Sequence, residues 1–581
     1  MDQPPCYLLP DTLYPSEPPR LRIAGLGTCV AEGLLETARG MGHVADQYLI
    51  RFSGDALPEG VDWNHYDLVV VHITLRRATG LVDNDRTDGR NDLFHTDHMS
   101  DQQYGDALAA VNRQIERIVE STNAAVGGAA PVFYLSFIEP PAAYQGTLLN
   151  NRRKSLYHFV RSLNDTLSAV LEKQSNAHFI ELNDLVRHDG DAGTTDAYQF
   201  HFSHGGIADS PAGAKLYTSI VKRLTHAMSI LSAEAPVKLI VSDLDNTLWK
   251  GVVAEMDEIN VADLTEGWPL GYVEALLEFK RRGGLLAISS KNDHATTLER
   301  FRKIWGARLK IEDFCSVKIN WEPKSKAIQE ILEETNLLPS SVLFIDDSPR
   351  EIEEVRRAFP EIRTLTGNQA MWRNVIFYAP QTQVAQISNE SAARTEMIQA
   401  KQQRDRMAGE TDYSSYLQAL DLSVRFDEVD GIDHPKFARA SELVNKTNQF
   451  NTTGRRWSMA DFAAYFSLGG RLISASVTDK FSDNGLVAVA AVNGRELTQM
   501  VMSCRVFSLG VENALMHRVQ SIMSGARCLV LFTDTSKNKS CGTFFAQDAF
   551  SSVDGGNYVL SGAVDHPKWI KLVDGRHDVA N

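Results

Sequence analysis

The stretch Lys238-Leu-Ile-Val-Ser-Asp-Leu-Asp-Asn-Thr-Leu-Trp249 decides how the rest of the chain is read. Leu239, Ile240 and Val241 form an apolar run without period-2 polarity, which predicts a strand buried on both faces of a parallel sheet. The run stops at two aspartates, Asp243 and Asp245, separated by Leu244. In open α/β folds ligands bind outside the carboxyl ends of the strands, so a strand ending in carboxylates delivers them to an active centre. One carboxylate can attack a phosphorus atom while the other, two residues on, donates and accepts protons. Two carboxylates repel each other and an anionic substrate, so the pair calls for a divalent cation.

Around this stretch lie 581 residues, enough for roughly three or four domains. An apolar fraction of 43% lets each domain bury a core. The formal net charge of −15 speaks against a nucleic-acid footprint and against docking on an anionic membrane, so neither partner is expected. An acidic partner would have to meet a local basic patch. The six cysteines (Cys6, Cys29, Cys315, Cys504, Cys528, Cys541) are scattered, with no C-x-x-C pair and no zinc-like spacing, which fits free thiols in a reducing compartment. The start, Met1-Asp-Gln-Pro-Pro-Cys6, has neither the basic region nor the apolar core of a secretory signal, and no apolar run approaches a membrane span. A cytoplasmic, multidomain protein is the expectation.

Residues 1–235 alternate strand and helix, with strands expected at Leu21–Gly25, Leu68–Ile73, Val132–Ser136 and His178–Leu182. Helices are expected at 106–120 and 155–173, giving an α/β unit with a parallel sheet. Gly25-Leu-Gly27 lacks the third glycine of a dinucleotide fingerprint, since Val30 stands there. The layout resembles an SGNH-type hydrolase, but the first turn, Gly27-Thr-Cys-Val30, has no serine. The late Asp196, His201 and His204 are also spaced too loosely for that family's closing motif. A degenerate SGNH-like domain used for docking is the reading. The pairs His95/His98 and His201/His204 read as polar loop histidines, because neither has a third metal ligand.

Residues 236–385 form a second α/β block, with strands expected at Leu239–Val241, Leu285–Ser289 and Val342–Ile345 and amphipathic helices at 292–304 and 324–334. Between Trp249 and Leu270 the insert is too short for a folded lid. A helical linker is expected over 386–415. The last block, 416–581, mixes strands (Leu472–Val477, Gly485–Val492, Gln499–Ser503, Cys528–Phe532) with helices (Pro435–Val444, Gly510–Ile522).

Four pieces line up along the second block: Asp243-Leu-Asp245 and Ser289-Ser290 at two strand ends, Lys324 opening a helix, and Asp346-Asp347 at a third strand end. This order resembles the haloacid dehalogenase (HAD) superfamily of aspartate-dependent phosphotransferases. The resemblance implies a doubly wound parallel sheet, Asp243 as nucleophile and Asp245 as general acid and base. It further implies that Ser290 and Lys324 hold the phosphoryl oxygens, while Asn246 and Asn292 contact substrate. Mg2+ would lie between the Asp243 carboxylate, the Asp245 carbonyl and Asp346, with Asp347 in support.

A wider resemblance is carried by Asp243–Gly251, Leu286–Asp293, Asn320–Ser325, Phe344–Pro349, Thr447–Thr453, Phe481–Leu486 and Ser503–Val506. These segments look like the FkbH-like proteins, which join an SGNH-like region, a HAD-like core without a large cap and a GNAT-like (acetyltransferase-like) α+β end. The resemblance implies that phosphate is lost from 1,3-bisphosphoglycerate and that a glyceryl group is loaded on the phosphopantetheine arm of an acyl carrier protein, for polyketide or antibiotic biosynthesis. Members of the glyceryl-transfer type carry a cysteine where this chain has Ser289, and a serine needs an adjacent base that a thiol does not. Three routes stay open: Ser289 carries an oxyester, the carrier thiol attacks directly, or covalent transfer is lost. Cys504 is a conceivable substitute thiol in another domain. Arg505-Val-Phe-Ser-Leu-Gly510 resembles the acetyltransferase turn that cradles a pyrophosphate. It implies a coenzyme A or pantetheine site at Arg505 and Gly510, although Ser508 replaces the first glycine. The alternatives to carrier loading are a plain small-molecule phosphatase and a non-enzymatic scaffold that presents a carrier.

Overall fold

Strand Leu239–Ser242 lies at the centre of a five-stranded sheet, and every residue of it is buried. The structure is a computed structural model. It describes residues 20–28, 30–50, 57–78, 93–140, 153–174, 176–189, 211–232, 236–256, 258–385, 387, 394–410, 412–523, 527–535 and 538–574. One compact unit holds Pro18–Met228 with Trp457–Tyr465, and another holds Ser229–Arg456 with Phe466–Asn581.

The first unit carries β1 (Arg22–Gly27), β2 (Val44–Leu49), β3 (Leu68–His72), β4 (Val132–Leu135) and β5 (Ala177–Ile180). All neighbours are parallel, in the order β2-β1-β3-β4-β5. Helix Asp101–Val126 opens with a capping box, in which Ser100 accepts from the Gln103 amide and Gln103 reaches back. It packs with helix Leu156–Leu171 over a core that includes Ile115, Val119, Phe159 and Leu163. β2 is missing from the sequence reading because it is a half-exposed edge strand with mixed polarity. Cys29, Asp196, His201 and His204 lie outside the described residues, as does the side chain of His95, so neither the SGNH motif nor the His95/His98 pair is placed.

The second unit begins with β6 (Leu239–Ser242), β7 (Leu285–Ser290), β8 (Ser316–Ile319), β9 (Val342–Ile345) and β10 (Arg363–Leu365). Their order is β10-β9-β6-β7-β8, parallel throughout. The chain winds one way from β6 through β7 to β8 and the other way through β9 to β10, so the topological switch falls between β6 and β9. Alternate residues feed two cores. Ile240, Leu286 and Ile288 pack with Tyr272, Leu276 and Trp372 on one face. Leu239, Val241, Leu285 and Ala287 pack with Ile328, Ile331 and Val355 on the other. Between Trp249 and helix Trp268–Arg281 there is one 3-10 turn, Val253–Glu255, and the five-residue helix Val261–Thr265. No folded cap is present among the described residues.

Helix Arg394–Glu410 continues through Tyr413–Ala419 into an eight-stranded sheet. Its strands are β11 (Leu422–Val429), β12 (Arg471–Thr478), β13 (Asp483–Asn493), β14 (Glu496–Met502), β15 (Cys528–Val530), β16 (Phe550–Ser552), β17 (Tyr558–Leu560) and β18 (Ile570–Asp574), in the order β16-β17-β15-β14-β13-β12-β11-β18. β11 to β14 are antiparallel, whereas β14 and β15 are parallel and pair only at Glu496–Leu529 and Leu497–Val530. Beyond that point the segment Phe450–Thr453 takes the place of a strand. Thr452 donates to Met500 O (3.0 Å), Met502 to Phe450 O (3.0 Å) and Thr533 to Thr452 O (2.8 Å). The C-terminal block and the β10-β9-β6-β7-β8 sheet fall in one compact unit. No helix among the described residues is long and apolar enough to cross a membrane.

Candidate active site

The site grows from the register of three strands. The pairing of β6 with β7 ends at Ser242–Ile288, and that with β9 at Ser242–Ile345. One residue further, the same register sets Asp243 beside Ser289 and Asp346. The Asp243 amide still donates to Ile345 O (3.0 Å). Pro323 precedes helix Lys324–Thr335, whose first residue turns its side chain under the strand ends.

Lys324 is buried, and its Nζ lies 2.7 Å from Asp243 Oδ1 and also contacts Asp346 Oδ2. Asp346 is fully buried, and its Oδ1 accepts from the Ser348 amide (2.8 Å). Asp347 is half-buried, and its amide donates to Thr247 Oγ1 (3.2 Å). Carboxylate oxygens of Asp243, Asp346 and Asp347 all lie within 4.8 Å of one another. Three converging hard oxygen donors suit a small divalent cation, so the donor set fits the group that the resemblance implies.

The electrostatics agree. Burial, with the neighbouring Asp243 charge added, pushes the Asp346 carboxyl up to about 7 although Lys324 opposes it. Burial also raises Asp243 and Asp347, with Lys324 again opposing. For Lys324 burial acts downward, but the Asp243 and Asp346 charges outweigh it and hold the ammonium protonated. One ammonium therefore faces three carboxylates, and added positive charge relieves the excess.

Asp245 points elsewhere. Its Oδ1 accepts from Trp249 Nε1 (2.8 Å) and the Val253 amide (3.0 Å), and its Oδ2 from Asn292 Nδ2 (2.9 Å). Its side chain is outside the carboxylate cluster, so only its carbonyl is left for the metal role read from the sequence. Ser290 Oγ accepts from the same Asn292 amide (3.1 Å). Asn292 is buried, and its amide holds protein groups. Asn246 also bonds within the chain. It adopts φ 50°, and its Oδ1 accepts from the Gly251 amide (2.8 Å). That bond closes the turn after Asp245, a conformation that asparagine tolerates better than most residues. Ser289 is 1% exposed, and its hydroxyl has no hydrogen-bond partner among the described residues.

Sequence reasoning missed the residues that surround the centre. Trp249 fixes Asp245, and its position four residues along the opening stretch was the available signal. Lys291 is clamped by both Glu351 oxygens (2.9 and 2.7 Å). Trp321 is 74% exposed on the loop leading to Lys324.

The C-terminal turn is packed instead of open. Arg505 is buried, with Nε on Ser503 Oγ (3.1 Å) and Nη1 facing Met397 Sδ. A Cβ on Gly510 would meet Trp569 and Pro567 at 3.1 and 3.2 Å, and Trp569 Nε1 donates to Leu509 O (2.9 Å). Trp569 and Pro567 thus pack against Gly510 in the turn where the resemblance implies a pyrophosphate cradle. The side chain of Cys504 lies outside the described residues.

No protein-family model and no curated protein matches the chain. Among solved structures it is similar to the N-terminal part of the Bacteroides fragilis protein BF1531, which contains a phosphatase domain complexed with magnesium. That pair is 18% identical, with a TM-score of 0.42, over 64% of this chain and 94% of the other. A fungal glycosidase with a GCN5-related glucosamine N-acetyltransferase region is 10% identical, with a TM-score of 0.16, over 90% of this chain and 62% of the other. What the centre can do follows from its own atoms.

Proposed function

We propose that the chain is a magnesium-dependent, HAD-type phosphatase and acyltransferase. It takes 1,3-bisphosphoglycerate or a similar small phosphorylated acid and loads a glyceryl-type unit on an acyl carrier protein in secondary-metabolite biosynthesis. The observation that carries this reading is the buried cluster of Asp243, Lys324, Asp346 and Asp347 at the switch point, with Asp245 two residues from the nucleophile.

In the hydrolytic half an Asp243 oxygen bonds to phosphorus as the bond to the leaving oxygen breaks, and Asp245 gives that oxygen a proton. Asp245 then takes a proton from water, whose oxygen bonds to phosphorus as the Asp243–phosphorus bond breaks. Inorganic phosphate and free Asp243 result. Lys324 and the Ser290 hydroxyl face the charge that spreads over the phosphoryl oxygens. Asp243, Asp346 and Asp347, with the Asp245 carbonyl, would hold Mg2+, which would supply further positive charge there.

A bisphosphorylated substrate loses its second phosphate by a different route. The carrier thiol bonds to the acyl carbon, the carbon–oxygen bond to phosphate breaks, and the thiol proton leaves with the phosphate. The short connection from Trp249 to Trp268, without a folded cap among the described residues, supports access for a pantetheine arm, and exposed Trp321 offers a partner an aromatic anchor. The Ser289 hydroxyl, which has no hydrogen-bond partner among the described residues, favours a second reading, a plain small-molecule phosphatase, because a serine that carries an acyl group needs a base bonded to it.

Intact-mass measurement separates the two after incubation with 1,3-bisphosphoglycerate, Mg2+ and a holo carrier. A glyceryl adduct on the carrier is expected. Free phosphate with an unchanged carrier would leave the phosphatase reading in its place.

A further inference from the structure

Asp245 and Ser290 come from different strands, yet one amide group holds both. Asn292 Nδ2 donates to Asp245 Oδ2 at 2.9 Å and to Ser290 Oγ at 3.1 Å. An ionised carboxylate only accepts, so the amide must present its NH2 edge, and its two hydrogens divide between the two partners. Because Ser290 Oγ accepts here, its own proton is free to point to a phosphoryl oxygen. The two Asp245 oxygens are also unequal. Among the described residues Oδ1 takes two N–H donors, Trp249 Nε1 and the Val253 amide, while Oδ2 takes Asn292 alone. Oδ2 is therefore the oxygen with room for a proton, and the Asn292 amide decides where it points.

We infer that Asn292 is a positioning residue that aims the general acid Asp245 and the phosphate-binding hydroxyl of Ser290 with one side chain. It is 5% exposed, and both bonds of its amide go to these two side chains, through which it acts. This rests on the phosphatase reading of the site. Asn292 takes no part in proton transfer. The proton passes from Asp245 Oδ2 to the leaving oxygen as the phosphorus–oxygen bond breaks, and Asn292 keeps both of its amide hydrogens.

The test compares two leaving groups. Nitrophenolate departs from 4-nitrophenyl phosphate without a proton, whereas the more basic phenolate of phenyl phosphate needs one. The parameter kcat/KM reports steps up to formation of the phosphorylated Asp243, so later hydrolysis does not obscure the comparison. With Mg2+ present, Asn292→Ala should lower kcat/KM for phenyl phosphate by about 100-fold, the low end of general-acid contributions, and for 4-nitrophenyl phosphate by several-fold less. Asn292→Asp, of the same shape but without donors, should show the same split and serves if the alanine variant does not fold. An equal loss with both esters overturns the inference and leaves the phosphatase reading standing. A wild-type enzyme inactive on both esters overturns both.

Discussion

Ser289, the last residue but one of β7, lies beside Asp243 with a hydroxyl that bonds to nothing among the described residues. A buried hydroxyl without a partner costs free energy, and removing it together with its desolvation penalty is neutral or stabilising. Ser289→Ala should therefore keep or raise stability, by up to about 1 kcal/mol in a denaturant titration. A loss of more than that would mean the hydroxyl has a structural partner. At this scale the sequence is legible wherever chemistry and strand context coincide. Asp243, Lys324 and Asp346 each stand at a strand end or helix start, and the structure brings them together. The resemblance implies substrate contacts for Asn246 and Asn292. The bonds they make here, closing a turn and holding Asp245, involve partners up to 47 residues away, which spacing does not show.

Among the elements, the buried strands β6, β7 and β9 were read from their apolar runs, while β8 and β10 were not. Those two are short edge strands that leave part of their residues half-exposed. β11 was missed despite its alternation, Leu422-Ser-Val-Arg-Phe426. The linker helix Arg394–Glu410 carries the least expected feature. Arg404 and Asp479 form an ion pair with side chains 1% and 0% exposed. Asp479 also accepts from the Phe481 amide (2.8 Å), the Ser482 amide (3.1 Å) and Asn484 Nδ2 (2.9 Å). Three C-terminal segments of the resemblance thus have structural roles. Phe481–Leu486 surrounds this pair, Thr447–Thr453 completes the sheet beside β14, and Ser503–Val506 lays Arg505 against Met397. Breaking a buried pair strands the remaining charge, at a cost of about 3–5 kcal/mol. Arg404→Ala should lose that much stability and expose the helix to limited proteolysis. A change under about 1 kcal/mol would place the pair in solvent.

Across the whole molecule, two compact units predict uneven acid stability. His72 in the first unit is 3% exposed, and burial pushes its imidazole down to about 4. The native histidine stays neutral while the unfolded one binds a proton below about 6.5, so unfolding takes up a proton between those values. Stability conferred by the neutral form is complete above the unfolded value and is lost as pH falls towards 4, about 3 kcal/mol at full extent. Tryptophan and circular-dichroism titrations should show a transition between pH 6.5 and 4 that His72→Phe shifts to lower pH. An unshifted transition would assign it to other groups.

The α/β character of the first two blocks was open to sequence reasoning because parallel sheets print continuous apolar runs. The grouping of the blocks was not, since the association of the second parallel sheet and the C-terminal sheet in one unit is made by tertiary contacts such as the Lys238 Nζ bond to Lys446 O (3.0 Å). The same two-way winding that defines the second sheet places Asp243 at its switch point, and the account depends most on that residue. Phosphate release by purified wild-type and Asp243→Asn protein, with Mg2+ and 1,3-bisphosphoglycerate, tests it most directly. Release by the wild type that falls to background in the variant, with unchanged circular dichroism, is the predicted result. Release that survives the substitution would contradict the assignment of Asp243 as nucleophile.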